Sequence, residues 1–323
     1  MSRHFRPLVV AATFFAGSLL ACAEDAAPIP GESSGKAEKE TTRRRADDDE
    51  TTGSSTTSTS PASPSGALAA KVVAPVVAAL ASEVEERSPG TELGLAVYDF
   101  DTKEYAGTND DDPHISASSA KAIWVAAALK KVGIDPVSPH ARPIFEVSSN
   151  SDATEVIKLA GANYINDFYA LAGMKKSAFT QWNGQKATNS PKLLGSDNYF
   201  TARDATSFLR GLHEGTLLDA TLNAQLEEWM TWSPRDGYGG WLGTLLPESA
   251  RASLEHKAGW LPPDLDDRSV NEIGLVEAGK NHWYAIAILA RKGDDYDAEQ
   301  AFVEHASCEV YKAIASQAEL DCE

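Results

Sequence analysis

Apolar residues follow two different rhythms along this chain. In ELGLAVYDF, ASLEHKAGWL, VNEIGLVEAG and HWYAIAILAR they form short, partly alternating runs bounded by turn residues, which predicts strands. The first of these continues through a polar turn into KEYAGTN, so a hairpin is expected early and three more strands late. Between them, AKAIWVAAALKKVG, DATEVIKLAGANYINDFYALAG, ARDATSFLRGLHEG and DATLNAQLEEWMTW carry the i, i+3, i+4 spacing of helices. Two further helices are expected at the ends, ALAAKVVAPVVAALASEVEERSPG and AEQAFVEHASCEVYKAIASQ. Strands at both ends with helices inserted between them predict an α+β fold. Its core would be an α/β/α sandwich around one antiparallel five-stranded sheet, joined to a helical subdomain over about residues 118–246. Pockets favour such a junction.

The beginning of the chain follows neither rhythm. Arg3 and Arg6 precede an apolar run from Leu8 to Ala21 that is too short to span a bilayer, the arrangement of an export signal. The run ends in LLAC, which resembles the bacterial lipobox and marks Cys22 as the residue that would carry lipid. A simple cleaved signal with an incidental cysteine is the alternative. Residues 1–22 are therefore read as a lipoprotein-type signal, and the protein is expected in the bacterial cell envelope, on the periplasmic or extracellular face. Membrane contact is expected only through that anchor. Residues 23–66 hold almost no large apolar side chains and cannot offset the entropy of ordering, so they read as a tether. The folded domain is expected over 67–323, and the full chain of 323 residues, 42% hydrophobic, is long enough to bury a substantial core.

Charge narrows the partners. The formal net charge is −18, most of it on the folded domain, and no basic stripe is visible, so nucleic acid is excluded as a partner. Cys308 and Cys322 lie close together near the C-terminus, and in an exported protein that spacing suggests a disulfide pinning the tail. The histidines are scattered and His213 lacks a second histidine one helical turn on, so no metal or cofactor is expected. A monomer is expected.

Candidate chemistry gathers at HISASSAKAIW. Ser118 and Lys121 are three apart, and on a helix starting near Ser118 they share a face. A serine hydroxyl needs a base, and a lysine serves as one when burial or neighbouring charge depresses its pKa. Helix capping by Ser116 or Ser118 is the plain alternative. Ser148 and Asn150 precede another helical run, and Lys257 sits on an expected strand, followed by the small residues Ala258 and Gly259, which would admit a substrate close to the backbone.

Taken in order, Ser118-Ser119-Ala120-Lys121, Ser148-Ser149-Asn150 and Lys257-Ala258-Gly259 resemble the SxxK, SxN and KTG motifs of the penicillin-recognising serine hydrolases. The likeness is greatest to class A β-lactamases, and it implies the β-lactamase/transpeptidase-like fold. It also implies roles: Ser118 as acylated nucleophile, Lys121 as its base, Ser148 as proton relay, Asn150 orienting the substrate amide. Lys257 would hold the substrate carboxylate, the N–H groups of Ser118 and Trp260 would form the oxyanion hole, and Arg268 is a second candidate cation for the carboxylate, with a surface arginine among DLDDR as the alternative. The implied substrates are β-lactams or peptidoglycan stem peptides. The implied activities are a β-lactamase, a DD-peptidase, or a penicillin-binding sensor without turnover.

Some features depart from the resemblance. The SDN at Ser196-Asp197-Asn198 lies too near Lys257 and is read as a decoy. The third motif reads Lys-Ala-Gly and lacks one hydroxyl. Ser118 to Ser148 is a short interval, so part of the helical lobe is expected to be missing. No glutamate lies between Glu155 and Glu214, where class A enzymes keep their deacylating base; only Gln181, Asn183 and Gln185 stand near that place. Acylation is better supported than turnover.

Overall fold

The computed structural model describes residues 71–190, 198–231, 240–262 and 268–323. The segments expected to be an export signal and a tether, with Cys22, and also Ser196 and Asp197, lie outside the described residues. In chain order the elements are α1 (Val73–Arg87), β1 (Glu92–Asp99), β2 (Tyr105–Thr108), β3 (His114–Ile115), a 3-10 turn (Ala117–Ala120), α2 (Lys121–Val132), α3 (Ile134–Glu146), α4 (Asn150–Ala160) and α5 (Ala162–Leu171). There follow β4 (Gln181–Trp182), β5 (Gln185–Lys186), β6 (Tyr199–Phe200), α6 (Ala202–His213), α7 (Ala220–Met230), α8 (Trp241–Thr244), α9 (Glu248–Ala252), β7 (Glu255–Leu261), β8 (Ser269–Glu277), β9 (Trp283–Arg291) and α10 (Tyr296–Ile314).

Five strands form one antiparallel sheet in the order β2-β1-β9-β8-β7, which leaves β7 at an edge. The strand period of two sorts side chains onto its two faces. Leu93, Leu95 and Val97 of β1 and Ile286 and Ile288 of β9 join a back layer with Val77, Leu80, Phe302 and Val303 of α1 and α10. Ala96, Tyr98, Ala285, Ala287 and Leu289 face the helical lobe. Burial on both faces explains why β9 reads as an almost unbroken apolar run. The carboxylate of Glu104 accepts from the N–H groups of Val73 and Ala74 at 3.2 and 3.0 Å, fixing the start of α1 against the hairpin turn. The disulfide Cys308–Cys322 ties the tail to α10.

The lobe is built around α2, whose residues from Lys121 to Leu129 are all buried. Its alanines let α3, α4 and α5 pack close. Two differences from the sequence pattern have plain causes. IDPVSPHARPIFE forms α3 despite Pro139 and Pro143, residues that argue against a helix from sequence. Tertiary burial of Val137, Ala141, Ile144 and Phe145 overrides that local cost. The long helical run after Asn150 is broken at Gly161, whose φ of +80° ends α4 and reorients the chain into α5. Among the described residues no helix is long and apolar enough to cross a membrane.

Candidate active site

The turn carrying Ser118 is held from both sides. The backbone N–H and the hydroxyl of Ser116 both donate to Asn198 O, at 2.9 and 3.2 Å, and the Ser119 hydroxyl donates to Ser116 O at 2.5 Å. Neither Ser116 nor Ser118 caps a helix, so the capping alternative does not describe this turn. The Ser118 hydroxyl has no partner among the described residues, while its two neighbours are committed to backbone carbonyls. Ala117 just before it has a φ of +45°, a left-handed conformation costing on the order of 1–3 kcal/mol for a residue with a Cβ. Ser118 lies in the 3-10 turn and Lys121 opens α2, and a spacing of three shares a side in either geometry.

Lys121 is fully buried at the start of α2. Its Nζ donates to Ser148 O at 2.5 Å and Asn150 Oδ1 at 2.7 Å and stands 3.3 Å from Ser148 Oγ. Lys257 Nζ reaches the same hydroxyl from β7, also at 3.3 Å, and donates to Ala258 O at 2.7 Å. The Ser148 oxygen therefore lies between two buried lysines. Burial, and then the charge of Lys257, lower the Lys121 pKa well below that of a free lysine, which favours its neutral amine. Ser148 has a φ of +55°, and Ser149 caps α4 by accepting from Asp152 N. The cap thus belongs to the middle residue of the motif, leaving Ser148 and Asn150 for Lys121.

Gly259 brings the β7 edge into contact with the turn that carries Ser118. A Cβ placed there would stand 2.6 Å from Ser118 N and 2.2 Å from Ser119 N, closer than any side chain fits. This contact sets the β7 backbone beside Ser118 N, and a developing oxyanion needs backbone N–H groups at such a place. Ala258 and Trp260 point the other way: Ala258 lies in the back layer and Trp260 packs against it, so their contribution to the site is backbone. Arg268 is not brought to this cluster. Its charge acts on Glu299 of α10, consistent with a structural arginine and against a role in holding the substrate carboxylate.

The remaining wall is the β4–β5 hairpin. Asn198 accepts from Thr180 N at 2.7 Å and donates to Gln181 O at 2.9 Å, so it serves this hairpin and not Lys121. Gln181 is exposed. Asn183 donates to Thr154 Oγ1 at 2.9 Å, which ties the hairpin to α4. Between them stands Trp182, its ring centroid 5.5 Å from Lys121 Nζ and 5.3 Å from the Trp124 ring. Its indole N–H donates to the same Thr154 Oγ1 at 3.1 Å. Among the described residues, the groups touching Lys121 Nζ are Ser148, Asn150 and this ring, and none is a carboxylate. Sequence reasoning named the three amides of the hairpin and passed over the tryptophan between them. A large aromatic in an otherwise polar turn segment was the available signal.

Three comparisons bear on this arrangement. A family model described as the beta-lactamase enzyme family matches residues 144–314. That stretch holds Ser148, Asn150, Lys257 and Gly259, while Ser118 and Lys121 precede it. No curated protein sequence gives a significant match. Among solved structures, a variant of the last common ancestor of Gram-negative bacteria class A β-lactamase superposes with a TM-score of 0.63 at 19% identity, covering 75% of this chain and 99% of that one. The protein titled PBP-A gives 0.62 at 18% identity, covering 75% and 96%. TLA-1 extended-spectrum β-lactamase gives 0.64 at 15% identity, covering 76% and 100%. At these identities the likeness establishes the fold.

Proposed function

The chain belongs to the β-lactamase enzyme family, and from that premise we propose an exported serine hydrolase whose Ser118 is acylated by β-lactams or by the amide of a peptidoglycan stem peptide. The observation that carries this reading is the Ser148 hydroxyl, 3.3 Å from the Nζ atoms of both Lys121 and Lys257. Neutral Lys121 takes the Ser118 proton as Oγ bonds to the substrate carbonyl carbon. The carbonyl oxygen gathers charge against the N–H groups of Ser118 and Trp260. The C–N bond then breaks, and the leaving nitrogen receives its proton through Ser148, which Lys121 replenishes. Asn150 orients the substrate amide, and Lys257 attracts the substrate carboxylate and polarises the relay. The protein acts at the cell envelope, tethered through lipid on Cys22; incorporation of labelled fatty acid, lost in Cys22→Ala, tests that part.

A second reading concerns the fate of the acyl group. No carboxylate touches Lys121 among the described residues, which supports slow release of that group, as suits a DD-peptidase or a penicillin sensor better than a β-lactamase. A time course with a chromogenic β-lactam distinguishes them. We expect a burst of one product per protein molecule and then slow release. Steady turnover from the first seconds would favour a β-lactamase.

A further inference from the structure

We infer that Trp182 is the positioning residue that sets the lifetime of the acyl-enzyme, an inference that rests on acylation at Ser118. Hydrolysis of the ester requires a water oxygen to bond to the acyl carbon while the bond to Ser118 Oγ breaks. One water proton must be held and then returned to Oγ as the acid leaves. The base that holds it must lie within about 3 Å of the water. Lys121 touches the Ser148–Asn150 turn from α2, and its two N–H groups are already taken up. A neutral amine has two N–H groups and one lone pair. The N–H groups are engaged by Ser148 O at 2.5 Å and Asn150 Oδ1 at 2.7 Å, which leaves the lone pair for Ser148 Oγ, 3.3 Å away, or for a water.

The side left over lies under the Trp182 ring, 5.5 Å away. An indole offers water no acceptor there, and its single donor is directed at Thr154 Oγ1, 3.1 Å away. The ring is also fixed. It leans on Trp124, and Thr154, which receives both Trp182 and Asn183, donates in turn to Asn150 O at 2.9 Å. The strap that positions the tryptophan is therefore the same one that positions Asn150. Trp182 excludes the water that Lys121 would otherwise activate, and it keeps Lys121 dry enough to act as a base toward Ser118.

The test uses the full chain treated with benzylpenicillin. Intact-protein mass spectrometry tracks growth of the adduct and, after removal of free drug, its loss. Trp182→Ala should shorten the adduct half-life by about tenfold or more, below the 10²–10⁴ of a purpose-built base. Its acylation should also need higher pH, because water admitted beside Lys121 lessens the burial that depresses its pKa. Trp182→Phe, which keeps an apolar ring and the bond from Asn183 to Thr154, should retain the long-lived adduct, and Thr154→Val, which frees Trp182 and Asn183 together, should shorten it. An adduct in Trp182→Ala that decays no faster than in the parent overturns the inference while leaving Ser118 acylation intact. If the alanine variant does not fold, an unchanged lifetime in Thr154→Val overturns it instead. A parent chain that takes up no penicillin removes the acylation reading, and this inference with it.

Discussion

On the back of the sheet, Leu93, Leu95, Val97, Ile286 and Ile288 share one apolar layer with Val77, Leu80, Phe302 and Val303. At the β7 edge, two lysines are buried against one serine hydroxyl, and left-handed backbone occurs at Ala117 and Ser148. The first region gains stability from apolar area removed from water. The second gives stability up, through desolvated amines and strained residues, to hold reacting groups in place. The cost is local because the turn, the motif loop and β7 are each anchored by elements that pack conventionally: Ser116 to Asn198, Ser149 to α4, and β7 to β8. A chain can tolerate such an edge when its other layers are ordinary.

Substitutions that act on one region and spare the other sharpen this contrast. Lys121→Met should lower the acylation rate by roughly 10²–10⁴, the worth of a positioned base, while leaving the melting temperature unchanged or higher because a desolvated amine is gone. Stopped-flow acylation and calorimetry on the same sample check both halves. Phe302→Ala, in the back layer, should do the converse. A loss of about 3–5 kcal/mol in urea unfolding is expected, with an unaltered acylation rate for the molecules still folded. Gly259→Ala introduces a methyl where Ser118 N and Ser119 N already crowd, and should reduce acylation by about 10²–10³, as loss of one oxyanion donor does.

A further expected effect depends on pH. Glu255, at the start of β7, has its carboxyl raised to about 8, by burial and then by the charge of Glu227. A carboxyl whose folded pKa exceeds its unfolded value binds its proton more tightly in the folded state, so stability falls as pH rises from about 4.5 to about 8 and levels off above that. Glu255→Gln should remove this decline, and the gain over the parent should grow through that window and then plateau. Chemical denaturation at a series of pH values measures it; a gain independent of pH would contradict the assignment.

Much of the sheet was legible in the sequence because strand periodicity and bounding turns are local signals. The hairpin β1–β2, the late strands β7 to β9 and the terminal helices α1 and α10 all announce themselves in this way. Helix α3 was not legible, since its prolines argue against a helix locally and only burial in the lobe holds it. Gly161 was equally silent within an apolar pattern that runs through it. The residues of the three motifs could be named from their order, and the structure brings Lys121, Ser148, Asn150 and Lys257 together and sets Gly259 against Ser118. The acidic residues beside Arg268 favour a surface arginine over a substrate-holding one, whereas Glu299, the group its charge acts on, is remote in sequence and is found only in the fold. Trp182 escaped for the same reason: its meaning depends on Lys121, which no spacing rule connects to it.

The most direct measurement is the mass of the intact protein after incubation with a penicillin, combined with peptide mapping. A single adduct on Ser118, absent from Ser118→Ala, is the predicted result. No adduct on the parent chain, or an adduct that persists in Ser118→Ala, would contradict the account of this site.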